Sequence, residues 1–458
     1  TGLAPFVSMA RSGITGFVLL HGVNSTEDLY YAAVFKSAAK QYVPCISEAD
    51  RSSGEYFQGR VSDYLRKILA PGLYDFYLCG RVEMIRDVTF LVDEYFSGSI
   101  IFTETFFCPT TWIEHMKFEA IARETVLLDP NNDMARKKIP NQIRKDPLTG
   151  KTSRICHFRE LKWKKPDIDK LVAGTENWCP FCPAKVLKVT PRFPPDLVPA
   201  GRMTLDDKIL FPNIAPYDRL SAVATLGSRH YIPMTEIEPQ QIADGFRLAL
   251  KYFRHLHEMK HAESVYHLVS WNYMPASGSS IIHPHLQVFA SSFAPNRLRE
   301  ELQTAKIYKE AKGTNYWDDL VRVEKENRDR FLGEIGRTTW LSVFAPLGAA
   351  GDVIAVVDGV RSTLELSDDD LVDLATGLTK LMAAYDRMGI YNFNMSFFAG
   401  SQKDAHARFH LVFSPRIYFN PAIGTPDVAA LGRLFGESVC MAFPEEINQA
   451  LKPQFQSK

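Results

Sequence analysis

His283-Pro284-His285-Leu286-Gln287-Val288-Phe289-Ala290-Ser291-Ser292 is the stretch on which the reading of this chain turns. It reads as a β-strand, and residues at alternate positions of a strand share a face. His283, His285 and Gln287 therefore project together. Two imidazoles and an amide on one face suit a metal ligand, or a nucleophile with a hydrogen-bonding helper. A bare His-x-His pair on a strand is more often merely exposed or satisfied, so the neighbouring residues must decide. Just upstream, Asn272-Tyr273-Met274-Pro275-Ala276-Ser277-Gly278-Ser279-Ser280 is a polar, small-residue loop of the kind that lets backbone approach a phosphate.

The pattern Pro284-His285-x-Gln287-Val288-aromatic-Ala290-Ser291-Ser292-Phe293 resembles the active-site signature of galactose-1-phosphate uridylyltransferases, members of the histidine-triad superfamily. With its flanking matches the resemblance spans about 135–420. It implies a double displacement. A histidine attacks the α-phosphorus of a nucleoside diphosphate sugar, sugar phosphate leaves, and a second sugar phosphate resolves the nucleotidyl-histidine. His285 matches the family nucleophile and Gln287 the amide that steadies the intermediate. Ser280, with Gly278 and Ser279 in the loop from Ala276, matches the segment that contacts the leaving phosphate. Asn272 matches the loop asparagine, and Asn213 an asparagine near the uridine nucleotide, although a residue between Pro212 and Pro216 could equally serve a turn.

Cys179-Pro180-Phe181-Cys182 has the spacing that places two thiolates on one ion, and equally that of a redox pair. The resemblance supplies the rest of the set. His230 matches the family's third metal ligand and His283 its fourth, which implies a closed, structural zinc site. A second metal site of some relatives would use Glu301 and His410, but Ser396-Phe397-Phe398 stands where another histidine is wanted, and His406 is a weak substitute. His410 is therefore read as structural. Near the module's start, Arg144-Lys145-Asp146-Pro147-Leu148-Thr149-Gly150 resembles the family's opening segment. Arg159 and Lys165 in the following basic stretch take the place of phosphate-binding arginines at altered spacing, where a solvated loop serves as well.

Composition sets the frame. With 458 residues, 46% hydrophobic and 23% charged, the chain has room for two or three globular domains. Its 53 basic and 53 acidic residues leave no excess for a nucleic-acid platform. No apolar run reaches the roughly 18 residues that span a bilayer, and Thr1-Gly2-Leu3-Ala4-Pro5 carries no basic leader, so neither membrane nor signal peptide is expected. Seven cysteines with one close pair suit a reducing cytoplasm.

The first 107 residues alternate strands and helices, which implies a parallel sheet. Strands are expected over 16–22, 42–47, 75–80 and 99–103, with helices over 27–41, 61–68 and 82–96. Thr1 to Phe6, Leu20-His21-Gly22, Tyr77-Leu78-Cys79-Gly80 and Thr103 to Phe107 resemble the pyridine-nucleotide half of ferredoxin reductase-type flavoproteins. The resemblance implies residual NAD(P) binding through Thr1, Gly2, Pro5, Cys79 and Gly80, with backbone N–H groups facing the pyrophosphate. The first strand and the flavin barrel of that family are not expected in this sequence. A flavin-carrying partner chain or a vestigial fused fragment is the expectation. Residues 108–134 read as a helical linker.

Beyond it a repeat appears. One copy runs from Leu220-Ser221-Ala222-Val223-Ala224-Thr225 through a helix over 240–257 to Ser264–Ser270 and the histidine strand. The other runs from Asp352–Val357 through a helix over 369–388 to Tyr391–Ser396 and Ala407–Ser414. Only the first keeps His-x-His-x-Gln, so one catalytic and one degenerate half are expected.

The expected fold is an α/β, partial Rossmann-like parallel-sheet domain over 1–107 followed by an α+β module. That module comprises two histidine-triad-like half-barrel repeats, 135–325 with the catalytic motif and zinc site and 326–458 without. The expected activity is uridylyl exchange between UDP-hexose and hexose-1-phosphate, in a protein for which the resemblance leaves a homodimer open. The alternatives are an ADP-sugar or dinucleoside polyphosphate phosphorylase or adenylyltransferase, and a non-catalytic, redox-linked nucleotide-binding module.

Overall fold

The computed structural model describes residues 3–47, 56–70, 72–80, 82–96, 98–105, 116–156 and 161–456. The chain divides into two compact units, Thr1–Ile113 and Glu114–Lys458.

In the smaller unit, β1 (Val18–Val23) pairs in parallel with β2 (Gln41–Ile46), and β2 with β3 (Phe57–Gln58). Separately, β4 (Asp75–Gly80) pairs in parallel with β5 (Ile100–Thr105). The helices are α1 (Ala4–Arg11), α2 (Ala32–Ala38), α3 (Val61–Lys67) and α4 (Val82–Tyr95). Leu65 of α3 and Val88 and Val92 of α4 pack with Leu20, Phe76, Leu78 and Ile101, so one helical layer covers strands from both ladders. The helix expected over 27–41 is shorter than that. A single 3-10 turn, Thr26–Asp28, comes first, and Tyr31 at φ 60° starts α2 from the left-handed region, which an α-helix cannot pass through.

The helical linker expected over 108–134 is corrected in its described part. Residues 120–129 form β6 (Ala120–Asp129), which pairs antiparallel with β7 (Ala135–Lys145) along a full ladder from Ala120↔Arg144 to Asp129↔Ala135. The Pro-Asn-Asn-Asp stretch is the turn of this hairpin. Asp129 Oδ1 accepts from the Asn131 N–H at 3.0 Å, and Asp133 and Met134 have φ of 44° and 56°. Cross-strand pairs Lys137–Asp129 and Lys138–Glu124 favour the ribbon over a helix. β8 (Thr152–Cys156) pairs with β7, and the strand Ser438–Cys440 joins β8 in parallel.

The larger unit is organised by ten antiparallel strands in one sheet. They are β9 (Met203–Leu205), β10 (Lys208–Pro212), β11 (Leu220–Thr225), β12 (Tyr266–Tyr273), β13 (His285–Ser291), β14 (Phe331–Ile335), β15 (Thr338–Ser342), β16 (Val353–Val357), β17 (Phe393–Phe398) and β18 (His410–Pro415). Their order is β14-β15-β16-β18-β17-β12-β13-β11-β10-β9, so the sequence of connections from each edge is the same and the halves meet at β12 and β17. At that seam Ser270 faces Ser396 and Asn272 faces Asn394.

Burial alternates along β12. Val269, Trp271 and Tyr273 are buried, whereas Leu268, Ser270 and Asn272 are half-buried on the other face. The buried side lies under two long helices, α7 (Pro239–Glu258) and α10 (Asp368–Arg387); α5 (Ile168–Val172) and α6 (Pro183–Val189) precede α7 in the chain, and α8 (Asn296–Lys312) and α9 (Tyr316–Asn327) come between the two. Helix α7 starts with Pro239, and α10 with a capping box in which Ser367 and Asp370 bond each other's backbone N–H. Phe246, Phe253, Leu374, Leu378 and Tyr385 from these helices are fully buried against Trp271, Trp340 and Phe413. Burying one such side chain contributes about 2–3 kcal/mol. That layer is what fixes the polar face of the sheet outward.

Candidate active site

β13 places His285 and Gln287 on the open face, with His285 only 7% exposed. The His285 Nδ1–H donates to the backbone carbonyl of His283 at 2.8 Å, since a carbonyl only accepts. The ring therefore keeps its Nε2 lone pair free. Burial holds its pKa below the ordinary value, so the imidazole is neutral at neutral pH. The Phe181 ring packs edge-on at 5.1 Å and fixes the ring plane. A neutral imidazole with one nitrogen tethered and the other bare is a nucleophile.

Gln287 Oε1 accepts from Asn213 Nδ2 at 2.9 Å. Asn213 in turn uses its Oδ1 to accept the Ala215 N–H, also at 2.9 Å. That second bond orients the Asn213 amide, which then orients the Gln287 amide. The Gln287 NH2 is left as the group to donate to an anion beside His285. Asn213 is thus both a turn residue and a partner of the site.

The loop after β12 is built from unusual backbone. Met274 has φ 67° and ψ 165°, a region that is costly for any side chain. Ser277 Oγ donates to the Met274 carbonyl, and Gly278 follows at φ 85°, where glycine pays no steric penalty. Ser279 Oγ bonds the Ile281 carbonyl, while Gly278 and Ser280 are exposed at the loop surface.

Cys179, Cys182, His230 and His283 converge, with one ligand atom from each lying within 4.8 Å of all the others. The hydrogen bonds around them select the metal-binding tautomers. The Thr175 hydroxyl gives its proton to the Val172 carbonyl, so its oxygen accepts from His230 Nε2–H at 2.8 Å. His283 Nε2–H donates to the Gly227 carbonyl at 2.8 Å. Both histidines consequently turn a bare Nδ1 toward Cys182 Sγ, at 3.3 and 3.8 Å. Outer partners that fix a ligand's tautomer are what a metal site requires. Burial pushes the His283 pKa down to about 4. Burial, reinforced by Cys179, pushes the Cys182 thiol up to about 11. A divalent cation reverses that penalty by drawing in thiolate and neutral imidazole together. The donor set S2N2 fits a four-coordinate zinc.

Other sequence expectations separate. Thr1, Gly2 and Arg159 lie outside the described residues. Lys165 pairs with Asp386 near the end of α10. Pro5 lies in the first turn of α1, and Cys79 and Gly80 end β4. Glu301 accepts from Arg297 at 2.8 Å, and its other oxygen lies 3.5 Å from His410 Nε2. His410 copies the tether of His285, with Nδ1 facing the carbonyl two residues earlier, Arg408, at 3.1 Å. Its other side is covered by the Trp317 ring at 4.0 Å. The residues that sequence reasoning missed are Thr175, Gly227, Asn394 and Arg416. Only Asn394 left a signal, as an asparagine in the strand that answers to β12 in the repeat.

Comparison with known proteins agrees with this architecture. The family described as "Oxidoreductase NAD-binding domain" matches residues 1–89. An uncharacterized protein of Archaeoglobus fulgidus is 31% identical over 311 residues, covering 68% of this chain and 91% of the relative. A galactose-1-phosphate uridylyltransferase of Haemophilus influenzae is 29% identical over 145 residues, which is 31% of this chain and 42% of that enzyme. The match thus spans under half the length of that enzyme. Among solved structures, a galactose-1-phosphate uridylyltransferase-like protein and an ADP-glucose phosphorylase, both from Arabidopsis thaliana, each align with TM-score 0.52 and 17% identity. Each alignment covers 68% of this chain and 98% of the other, which establishes a shared fold. Among the described residues no helix is long and apolar enough to cross a membrane. The larger unit is thus similar in sequence to galactose-1-phosphate uridylyltransferases over part of their length and shares the fold of a protein like them.

Proposed function

We propose that the larger unit transfers a nucleotidyl group from a nucleoside diphosphate hexose to a hexose-1-phosphate through His285. The observation that carries this is the tethered, neutral His285 with its Nε2 bare beside the donating amide of Gln287. Nε2 attacks the α-phosphorus, a P–N bond forms, and the P–O bond to the sugar phosphate breaks with the electron pair leaving on that phosphate. An acceptor phosphate oxygen then attacks the same phosphorus and the P–N bond breaks. The Nδ1 proton stays on its carbonyl tether throughout. Gln287 and the loop Ala276–Ser280 donate to phosphoryl oxygens as charge shifts between them. Cys179, Cys182, His230 and His283 hold a structural zinc, which stiffens the start of β13 without touching substrate. The mirrored strand order supports two histidine-triad-like half-barrels, of which the first is catalytic.

UDP-glucose is the donor this reading favours, on the likeness to uridylyltransferases. The similarity to a phosphorylase with bound ADP-glucose supports a second reading, in which the donor carries adenine. Incubating the full chain separately with UDP-glucose and ADP-glucose, then mapping adducts by mass spectrometry, decides. A uridylyl group on His285 is the expected result. An adenylyl group from ADP-glucose alone selects the second reading, and no adduct with either refutes both.

For the smaller unit we infer nicotinamide-nucleotide binding, supported by the match over residues 1–89. Titration of the chain with NADH and NADPH, followed by nicotinamide fluorescence, is expected to show saturable binding of one of them. A flat response to both overturns it.

A further inference from the structure

Polar side chains on the open face of the sheet continue across the seam into the second half. Ser270 and Ser396 share a hydrogen bond of 2.7 Å beside Gln287, which pairs with Ser270 in register. Two residues further along β12 lies Asn272, as His285 lies two residues from Gln287 on β13. Asn272 Oδ1 accepts from Asn394 Nδ2 at 2.6 Å. The same Asn394 nitrogen donates to the Ser277 carbonyl at 2.9 Å, inside the loop that Met274 enters through its strained backbone. On its other side, Asn394 Oδ1 accepts from an Arg416 guanidinium nitrogen at 2.6 Å. Arg416 Nε in turn sits 2.9 Å from both oxygens of Asp427, whose side chain is 3% exposed.

Polarity along this chain follows from chemistry. A guanidinium only donates, so Arg416 forces the oxygen of Asn394 toward itself and the NH2 toward Asn272. Asn272 must then accept through Oδ1, and its own NH2 is the group left for the open face beside His285. We propose that Asn394, oriented by Arg416 and Asp427, is a positioning residue. It fixes the amide of Asn272 as a donor to the substrate phosphate and pins the loop Met274–Gly278 in its high-energy form. The proposal rests on nucleotidyl transfer through His285. It gives the half without the His-x-His-x-Gln motif a task, since the polarity of one side of the site is set from β17 and the segment after β18.

A double-mutant cycle tests it. The rate of nucleotidyl-His285 formation is measured for the full chain, Asn272→Ala, Asn394→Asp and the double variant, with UDP-glucose and with ADP-glucose as donors. Asp at 394 has no N–H to give, so Asn272 turns its own NH2 inward and presents oxygen to the phosphate. Each single variant is expected to lose about 100-fold, the scale of one misplaced donor to a phosphoryl or oxyanion group. The double variant is expected to fall well short of the product of the two single losses, because both changes remove the same donor to the phosphate, although Asn394→Asp also releases the Ser277 carbonyl. Arg416→Lys, which keeps a donor-only group facing Asn394, retains activity within about threefold, whereas Arg416→Gln, whose amide faces either way, does not. Losses that multiply in the double variant, or an Asn394→Asp rate within threefold of the parent, overturn the proposal. Asn394→Ser serves the same cycle if Asn394→Asp does not fold. An unaltered chain that forms no adduct with either donor fails at the prior step and refutes nucleotidyl transfer itself.

Discussion

His285→Ala is expected to form no nucleotidyl adduct and to lose at least about 10⁴-fold in turnover, the scale seen when a covalent nucleophile is removed from an otherwise intact site. The loss belongs to chemistry and not to folding. The ring is buried but makes a single hydrogen bond, to the His283 carbonyl, and one ring contact, to Phe181, among the interactions described above. Its removal leaves Gln287, Asn213 and the loop in place. Donor binding should accordingly persist while transfer stops. Gln287→Ala provides the scale between. It retains the nucleophile but loses one donor to the phosphoryl group, and about 10²-fold is expected. Residual turnover of His285→Ala equal to that of the parent, or an adduct mapping to a different histidine, would remove His285 from its role. Measurement of the adduct and of steady-state turnover on the same preparations separates the two outcomes.

Why the sequence revealed so much of this site is physical. The candidate nucleophile His285 and its amide helper Gln287 sit at alternate positions of β13, where period-two geometry puts them together, and the candidate metal ligand His283 lies in the bend two residues before the strand. Cys179 and Cys182 lie three residues apart in the turn before α6, so their approach is local as well. The hairpin of β6 and β7 went unseen because its strands are mostly exposed and charged, so no alternation of apolar residues marks them. Its stability comes from pairing, turn chemistry at Asn131 and cross-strand charges. Thr175, Gly227 and Arg416 were illegible for another reason. Each acts through a backbone carbonyl, a hydroxyl or a charge brought in from a distant loop, and residue type carries no trace of such a task. The equal placement of Asn272 and Asn394 was available from the repeat. What it meant was not, because the polarity of an amide is decided by whatever lies on its far side.

Cys179→Ser is the second large effect, and it links scaffold to chemistry. Serine offers a weakly acidic hydroxyl in place of a thiolate, so the four-donor set drops to three and the zinc bound per chain should fall from about one to well below one half. Three polar groups with bare nitrogen or sulfur are then stranded in a half-buried pocket. A cost of about 3–5 kcal/mol, the range for losing a buried compensating partner, corresponds to a drop in melting temperature of roughly 5 °C for a unit of this size. The effect on catalysis follows from His283 alone. Its side chain is one of the four candidate metal donors, and its backbone carbonyl is the group that holds Nδ1 of His285. Losing the metal frees the first residues of β13 and with them the tautomer of the nucleophile, so kcat should fall more than KM rises. Metal analysis, a melting curve and the kcat/KM split on one preparation test all three consequences. Unchanged zinc content would refute the assignment of the site. Lost zinc with full transfer activity would keep the metal but detach it from the orientation of His285.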